Sequence, residues 1–504
     1  MGNEDSENAE GFSRRGALGA VYLGGAQLVR VILMLLSAIV IARLLSPSDY
    51  GVVAMAAPFV GFVGMFQDLG LGTAAVQTRT LSDDEATGLF WINTVASLTI
   101  SVVLVALAPF AAWFYGDYRA GYVISASAIG ILISGIALQH TALLNREMRF
   151  GALSVIEVMN ASITFIVSAL LAFFLRSYWA LVIGTLCGTL FQTVLLWRSV
   201  KWVPGRMAFA AARRFAKFSS GVTGFNLLNF LSRNADNILV AKFAGSAALG
   251  LYDRSYKLMM MPLQTINGPI LRLLLPILSK LNDSPDRYRH AFIFSARSIA
   301  MITIPGVMVA AVLSDRLMPL LLGQAWAAAG PIFFWLGLVG SLSPISNLTG
   351  VLFLTSGRTG AFFRWGLFSA IVTLSGFVAG SHWGAEGVAA SLFITSLLRM
   401  PLLFFFAVKG TAIKSSDLFG AQIEPIIASS ISVALILQIA PYFETILLLC
   451  IAFPLAYAVT LIFALATVEG RSTVFEMWRI AAETIDHLGV GKRLFSGATD
   501  QSGR

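Results

Sequence analysis

The chain has 504 residues, of which 57% are hydrophobic and only 12% are charged, and its mean hydropathy is +0.79. A soluble globular chain carries about 25% charged residues, so this composition excludes that class and indicates a polytopic membrane protein. The formal net charge is +9, which basic cytoplasmic loops explain without a nucleic-acid partner. Cys187 and Cys450 lie in separate apolar stretches, so the sequence predicts neither a disulfide nor a thiolate metal site.

About fourteen stretches are long and apolar enough to cross a bilayer as helices of about 20 residues. Their approximate cores are residues 17–42, 51–76, 89–114, 121–144, 152–175, 178–197, 219–242, 250–278, 291–313, 328–354, 361–380, 386–408, 421–440 and 445–467. Arginine and lysine are concentrated in the connections that share a side with the N-terminus. By the positive-inside rule, both termini are predicted to be cytoplasmic.

The predicted organisation is two lobes of six helices, joined by a linker and followed by two extra helices. An acidic, disordered cytoplasmic tail is predicted for residues 1–15. The N-lobe would occupy residues 16–200, a basic cytoplasmic linker residues 201–218, and the C-lobe residues 219–410. Residues 411–468 would form the two extra helices, and residues 469–504 a cytoplasmic tail.

The first span of each predicted lobe carries a similar pattern, 199 positions apart. The aligned pairs are Ile39 with Ile238, Ala42 with Ala241, Arg43 with Lys242, Gly51 with Gly250, Gln27 with Asn226, Arg30 with Asn229, and Ser37 with Asp236. Six spans precede the second copy, so both copies would enter the bilayer in the same direction. The pattern therefore indicates a parallel internal duplication, although a chance match between apolar helices is the alternative.

Acidic residues in the N-lobe are candidate sites for a coupling ion. Asp68 lies near the cytoplasmic end of the second span, next to glycines that permit a helix break, and Glu157 lies within the fifth span. Each could equally serve in helix capping or packing. The linker that follows this lobe either sets the topology or contacts anionic lipid through Arg213 and Arg214.

A ladder of polar side chains marks the seventh and eighth spans. Asn226, Asn229, Arg233 and Asp236 follow at steps of three, four and three, which places them on one stripe of a helix. An arginine near the middle of a bilayer costs about 2.5–3.5 kcal/mol on insertion scales, so it requires a partner or a wet cavity. A self-satisfying pair of Arg233 with Asp236 is one interpretation, and a polar cavity is the other.

The ladder continues beyond this stripe with an excess of positive charge. Arg254, Lys257, Gln264, Asn267 and Arg272 fall near one face of the eighth span, and Arg297 lies in the ninth. A cationic interior suits an anionic ligand, because arginine grips phosphate oxygens with two parallel hydrogen bonds. The last two spans, in contrast, are predicted to lack inward-facing charge and to be peripheral, with Glu424 and Glu444 near their ends. The segment from Thr473 to Val490 would lie along the membrane surface if it is helical.

Several stretches together carry a family resemblance. They are IARLLSPSDYGVVAM (41–55), FQDLGLGTAAVQ (66–77), LFWIN (89–93), ALLNREMRF (142–150) and SRNADNILVAKFAGSAALGLYDRSYKLMMMP (232–262). As a set they resemble the Wzx-type flippases of the polysaccharide transport family, in the multidrug/oligosaccharidyl-lipid/polysaccharide exporter (MOP) superfamily. The likeness is greatest to the colanic acid and rhizobial exopolysaccharide branch, and it covers the chain from Gly16 to about Lys409.

The resemblance implies an all-α fold of two six-helix lobes around a central cationic cavity, with two C-terminal helices. The implied activity is the movement of an undecaprenyl-pyrophosphate-linked oligosaccharide from the cytoplasmic to the periplasmic leaflet for exopolysaccharide or lipopolysaccharide synthesis. It implies no enzyme chemistry and no cofactor, and it leaves the sugar undefined. Membrane lipids, H+ or Na+, and the polysaccharide polymerase and chain-length proteins are further expected partners.

The cationic ladder independently favours such a transporter, because a lipid-linked sugar needs a wet, positive path for its pyrophosphate. The predicted substrate-binding residues are Arg30, Arg233, Arg254, Lys257, Arg272 and Arg297 for phosphates or acidic sugars, and Gln27, Asn226 and Asn229 for the glycan. The candidate ion-coupling residues are Asp68, Asp236 and Glu157. No GxxxxGK[ST] loop is present, so alternating access driven by an ion gradient or by consumption of the product is the hypothesis.

Three alternatives remain open. A multidrug or cation antiporter of the same superfamily would need an acidic, cation-attracting lumen, which the positive excess disfavours. A flippase for the peptidoglycan precursor, lipid II, would use the same chemistry on another passenger. A membrane glycosyltransferase or polymerase would need a catalytic acid on a sizeable loop, and the sequence predicts only short connections.

Overall fold

The computed structural model describes residue 25 and residues 27–67, 75–76, 78, 80–207 and 223–487, with the backbone alone at 223–229, 231–233, 481 and 484–487. Within these residues the chain consists of helices and short connections without a strand. This confirms the predicted all-α class. Helices are expected here, because in hydrocarbon each backbone N–H and C=O must be bonded within the chain itself.

The described chain contains sixteen α-helices. The first eight are α1 (Gln27–Leu44), α2 (Pro47–Gly64), α3 (Asp83–Tyr115), α4 (Tyr118–Gly135), α5 (Leu138–Arg146), α6 (Phe150–Leu175), α7 (Trp179–Ser199) and α8 (Thr223–Lys280). The others are α9 (Pro285–Val312), α10 (Ser314–Leu322), α11 (Ala329–Thr355), α12 (Thr359–Gly380), α13 (Gly384–Val408), α14 (Ser415–Ile439), α15 (Thr445–Ala466) and α16 (Val468–His487).

Local sequence signals fix several helix ends. Ser46 and Ser82 precede α2 and α3, and each forms a capping box with the acidic residue three positions later, Asp49 or Glu85. In each box the serine hydroxyl accepts from a backbone N–H and the carboxylate accepts from the serine N–H, which satisfies two donors that the helix start leaves open. Gly116 ends α3 with φ 72°, a left-handed conformation that favours glycine.

Eleven continuous helical stretches of the described residues are long and apolar enough to cross a membrane. Two of them hold two predicted spans each. Residues 234–280 belong to α8, which Gly245 interrupts with φ 82°, and Gly384 with φ 67° begins α13 within residues 359–408. The predicted span at 51–76 corresponds to α2, which ends at Gly64. The described helices therefore follow the predicted order of spans.

The chain divides into two compact units by packing. Among the described residues, unit 1 comprises the chain up to Asp253 together with Leu321–Ala327 and Ser381–Ala385, and unit 2 comprises the remainder. In unit 1 an apolar core joins α2, α3, α4 and α7 and includes Leu104, Ile124 and Val182. In unit 2, α9 packs against α11, α14, α15 and α16. The lobe boundaries at residues 200 and 219 stay predictions.

In unit 1 the two predicted copies contact each other, and each copy takes the same part in the contact. A side-chain carbon added to Gly51 would lie 1.6 Å from the carbonyl oxygen of Ser246, and one added to Gly250 would lie 1.8 Å from that of Pro47. Since Gly51 aligns with Gly250 and Pro47 with Ser246 at the same 199-residue offset, each copy places a glycine against the same backbone position of the other. This is the pattern of a twofold contact, and it supports the predicted duplication.

Polar bonds surround the two glycines and repeat the same relationship. Arg43 Nε donates to the carbonyl oxygen of Leu321 at 3.1 Å, and Lys242 Nζ donates to that of Phe114 at 2.5 Å. Each accepting carbonyl lies two residues before a glycine with positive φ, Gly323 or Gly116. We call this set of contacts around Gly51 and Gly250 the clasp.

The clasp also includes a charged centre and a buried aromatic ring. Arg119 binds Asp117 with two side-chain hydrogen bonds, at 2.7 and 3.0 Å, and donates to the hydroxyls of Ser48 and Ser246 at 3.2 Å. The fully buried Trp326 donates to the carbonyl oxygen of Ala42 at 2.8 Å. The clasp is therefore a polar, hydrogen-bonded junction between segments distant in sequence.

The prediction that the last two spans lack inward-facing charge is wrong for α14. Glu424 of α14 lies 3.6 Å from the guanidinium of Arg297 in α9. The neighbouring Gln422 is fully buried and donates to the carbonyl oxygen of Ser341 at 2.6 Å. The physical reason is that α14 packs along α9 and α11, so these polar groups lie on its buried face.

Candidate functional site

Part of the predicted site lies outside the described side chains. This group consists of Arg233, Asn226 and Asn229, for which only the backbone is described, and Asp68, which lies outside the described residues altogether. Their roles stay predictions. The backbone places Asn226, Asn229 and Arg233 on the first part of α8, before Gly245.

Two residues predicted for different roles contact each other in unit 1. Arg30 Nη1 of α1 lies 3.0 Å from Glu157 Oε2 of α6, and both side chains are about half exposed at 51%. Gln27, one turn before Arg30, is exposed. Arg30, predicted to bind phosphate, and Glu157, predicted to couple an ion, therefore form an accessible ion pair, which an incoming anion or cation could open.

The carboxylate of Asp236 is buried in unit 1. It accepts a hydrogen bond from the Tyr252 hydroxyl at 2.9 Å and another from the backbone N–H of Asn237 at 2.8 Å. Both of these donors are neutral. Asp236 is therefore a buried acid whose two hydrogen bonds come from uncharged groups.

The second part of α8 exposes its predicted cationic residues to different extents. Arg254 is half-buried, whereas Lys257 and Arg272 are exposed. Between them, Asn267 is buried, and neither its amide oxygen nor its nitrogen has a hydrogen-bond partner among the described residues. A buried amide without a partner costs free energy, so Asn267 marks a position where a water or a ligand group would be stabilising.

Arg297, which was predicted to bind the substrate, lies buried between two carboxylates. Its side chain is 4% exposed, and its guanidinium lies 2.5 Å from Glu469 of α16 and 3.6 Å from Glu424 of α14. Nearby, Arg289 forms two hydrogen bonds with Asp417, at 2.8 and 2.9 Å, and His290 lies 3.0 Å from Glu476. All of these groups except Glu424 line a cavity of about 210 Å³ in unit 2, in which the basic side chains already have acidic partners.

A second cavity in unit 2 contains an arginine that the sequence analysis did not single out. Arg399 of α13 lines a space of about 260 Å³ together with Ser343, Ser346 and Asn347 of α11 and Ser369 of α12. No carboxylate of the described residues forms an ion pair with Arg399. The signal was available, because an arginine inside a 25-residue apolar helix is costly, but the serines come from three helices and their convergence was not visible.

Comparison with known proteins identifies the family. Residues 40–331 match a family described as polysaccharide biosynthesis protein. The chain is 27% identical over 307 residues to the teichuronic acid biosynthesis protein TuaB of Bacillus subtilis, covering 60% of this chain and 64% of TuaB. It is 22% identical over 395 residues to the lipopolysaccharide biosynthesis protein WzxC of Escherichia coli, covering 78% and 80%. It is 25% identical over 353 residues to the succinoglycan biosynthesis transport protein ExoT of Rhizobium meliloti, covering 69% and 70%.

Solved structures share the fold. The inward closed conformation of the lipid II flippase MurJ superposes with a TM-score of 0.72 at 14% identity, over 88% of this chain and 98% of MurJ. An inward-facing multidrug resistance MATE transporter of the MOP superfamily gives 0.55 at 13% identity, over 78% and 97%. The proteins matched here are named as biosynthesis and transport proteins rather than as enzymes. Because the family match covers more than half of its length, the chain belongs to the polysaccharide biosynthesis protein family, as a multi-pass membrane protein with the MOP fold.

Proposed function

We propose that this protein moves a lipid-linked oligosaccharide, carried on undecaprenyl pyrophosphate, from the cytoplasmic to the periplasmic leaflet of the bacterial inner membrane. The observation that carries the proposal is the family match over residues 40–331. The polysaccharides named for TuaB, WzxC and ExoT differ from one another. The common element is therefore a transport step for polysaccharide precursors and not one particular sugar.

The cationic side chains support an anionic passenger. Arg30 and Arg272 are accessible on α1 and α8, and the backbone of α8 carries Arg233 between them in sequence. In the proposed mechanism each of these guanidinium groups is a candidate to bind the pyrophosphate while the isoprenoid tail stays in lipid. Arginine suits this task, because its planar group holds two phosphate oxygens at once and stays protonated at every physiological pH.

Alternating access powered by an ion gradient is the proposed mode of transport. Asp236 is the most suitable coupling residue among the described acids, because it is buried and its recorded donors are neutral. Protonation from one side of the membrane and release to the other would link its charge to the conformational cycle. Glu157 would act differently, by exchanging its partner Arg30 for the passenger.

Deletion of the gene tests the proposed function directly. The expected result is loss of the surface polysaccharide together with accumulation of a lipid-linked oligosaccharide on the cytoplasmic leaflet. Normal polymer with no accumulated intermediate would contradict the proposal. Two control assays separate the alternatives: rescue of cells depleted of their lipid II flippase would indicate peptidoglycan precursor as the passenger, and increased drug resistance on overexpression would indicate an antiporter.

A further inference from the structure

The charge of Arg399 is not neutralised by the hydrogen bonds it forms. Its Nε donates to the carbonyl oxygen of Thr395 at 3.0 Å, its Nη1 to the carbonyl and hydroxyl oxygens of Ser369, and its Nη2 to the hydroxyl of Ser396 at 3.3 Å. These acceptors are all neutral. Four of the five guanidinium N–H groups are thereby used, so the group is held in place while its positive charge and one donor remain for an anion.

The two arginines that line the 210 Å³ cavity of unit 2 are paired differently. Arg297 has Glu469 and Glu424, and Arg289 has Asp417. Breaking those pairs would be required before either arginine could bind a new anion. Arg399 requires no such exchange.

The depth of Arg399 constrains what the anion could be. It is the sixteenth of 25 residues in α13, which places its Cα about 4–5 Å from the helix midpoint at 1.5 Å per residue. Phosphates of a resting bilayer lie about 15 Å or more from the midplane. For a helix centred on the bilayer midplane, a phosphate bound at Arg399 would therefore have left its usual interfacial position.

The surroundings of the cavity suit a ligand that is polar at one end and apolar at the other. Serines and Asn347 line the cavity beside Arg399, and Trp365 and Leu403 also contribute to the wall. The adjoining surface of the same helices is apolar and exposed, with Phe368 at 43% and Leu398 at 65%. A phosphate could occupy the polar space while its hydrocarbon chain lies on this surface.

We propose that the Arg399 cavity binds the phosphate of an amphipathic lipid, and that this lipid is the polyprenyl carrier during its passage across the bilayer. This inference rests on the proposed function. Arg399 is the phosphate-binding residue, and Ser369 and Ser396 are positioning residues that orient its guanidinium group.

Binding to the purified full-length protein in phosphatidylcholine nanodiscs tests this proposal. The probes are farnesyl diphosphate, a short isoprenoid diphosphate, and phosphatidylglycerol. Arg399→Gln is expected to weaken binding of farnesyl diphosphate about tenfold or more, since a charge-assisted hydrogen-bonded contact is lost. Arg198→Gln is the matched control, because Arg198 is exposed at the end of α7 in unit 1, and it should bind like the wild type.

Three outcomes separate the possibilities. If Arg399→Gln bound each probe as tightly as the wild type does, the proposed site would be overturned. A loss confined to phosphatidylglycerol would keep a lipid phosphate site but overturn its assignment to the carrier. Reduced diphosphate binding with normal polysaccharide export in cells would overturn the role in transport, while the gene deletion tests the proposed function separately. If Arg399→Gln does not unfold cooperatively on heating, Arg399→Lys replaces it, because lysine keeps the charge but lacks the planar set of donors that Ser369, Ser396 and the Thr395 carbonyl hold in place.

Discussion

Arg297 is a buried charge whose partners come from two other helices, so we expect its main contribution to be to stability. Arg297→Met is expected to lower the free energy of unfolding by about 2–3 kcal/mol. Removing one member of a fully buried pair costs roughly 3–5 kcal/mol, and the effect here is smaller because Glu469 is 73% exposed and screened by water. Thermal unfolding in detergent measures the change. An unaltered midpoint together with lost export would instead assign Arg297 to the passenger.

The pair of Arg30 and Glu157 is accessible and should behave in the opposite way. Exposed ion pairs contribute only about 0–1 kcal/mol, so Arg30→Gln is expected to leave the thermal midpoint nearly unchanged and to reduce polysaccharide export strongly. The exchanged pair Arg30→Glu with Glu157→Arg restores the attraction but moves the cation to α6. Export that recovers fully in this double variant would show that Arg30 acts only through the pair.

The lowered pKa of Asp117 predicts that the stability of the protein depends on pH. Burial alone would raise the pKa of this carboxyl, but the hydrogen bonds and positive charge of Arg119 outweigh it and lower the pKa below the usual 3.8. A carboxyl with a lowered pKa in the folded state stabilises the protein above its unfolded pKa, and this contribution is lost as the pH falls through the folded value. The clasp should therefore keep its full stability down to about pH 4–5.

The corresponding variant is Asp117→Asn. The difference in thermal midpoint between this variant and the wild type is expected to stay constant from about pH 8 to pH 5 and to shrink below the usual pKa of Asp117. Asp49→Asn serves as a comparison, because Asp49 caps α2 in the same region and accepts from Tyr178 N–H. If the difference in thermal midpoint between Asp117→Asn and the wild type stayed constant down to the pH of acid unfolding, Asp117 would not be the source of the pH dependence.

At the scale of helices, the clasp connects segments from both predicted copies and is a candidate gate. The hydroxyl oxygens of Ser48 and Ser246 lie 3.1 Å apart. In a background without Cys187 and Cys450, Ser48→Cys with Ser246→Cys is expected to form a disulfide under oxidising conditions, to stop export and to regain it after reduction. Each single cysteine variant is the control. Export that continues at full rate in the crosslinked protein would show that the clasp stays closed throughout the cycle.

The sequence predicted the clasp only in part. The alignment of Gly51 with Gly250 was visible, because a fixed offset and a shared pattern are properties of the sequence itself. The reason for glycine at these positions was not visible in the sequence, because it depends on the close approach of a carbonyl oxygen from a distant segment. Helix order and helix ends were predictable for the same local reason, through hydropathy and through capping residues such as Ser46 and Ser82.

Side-chain partners across the whole molecule were the least predictable feature. Arg297 and Glu469 are 172 residues apart, and a helical pattern gives the face of a residue but not the helix it meets. The sequence analysis placed Arg297 in continuation of the polar ladder on α8, yet one acidic partner, Glu424, comes from a span predicted to be peripheral and the other, Glu469, from the predicted C-terminal tail. Arg399 was missed for a related reason, because its serine neighbours are spread over α11, α12 and α13.

The helix α16 has a practical implication for work with this protein. Hydropathy marks Ala466 as the end of the last membrane crossing, and a purification tag or reporter would ordinarily be attached soon afterwards. A chain cut there would lack Glu469 and Glu476, leaving Arg297 and His290 without those acceptors. Such a shortened protein is expected to melt at a lower temperature than one ending after His487. Fluorescent fusions joined before that residue would then report poor expression that has nothing to do with sugar export.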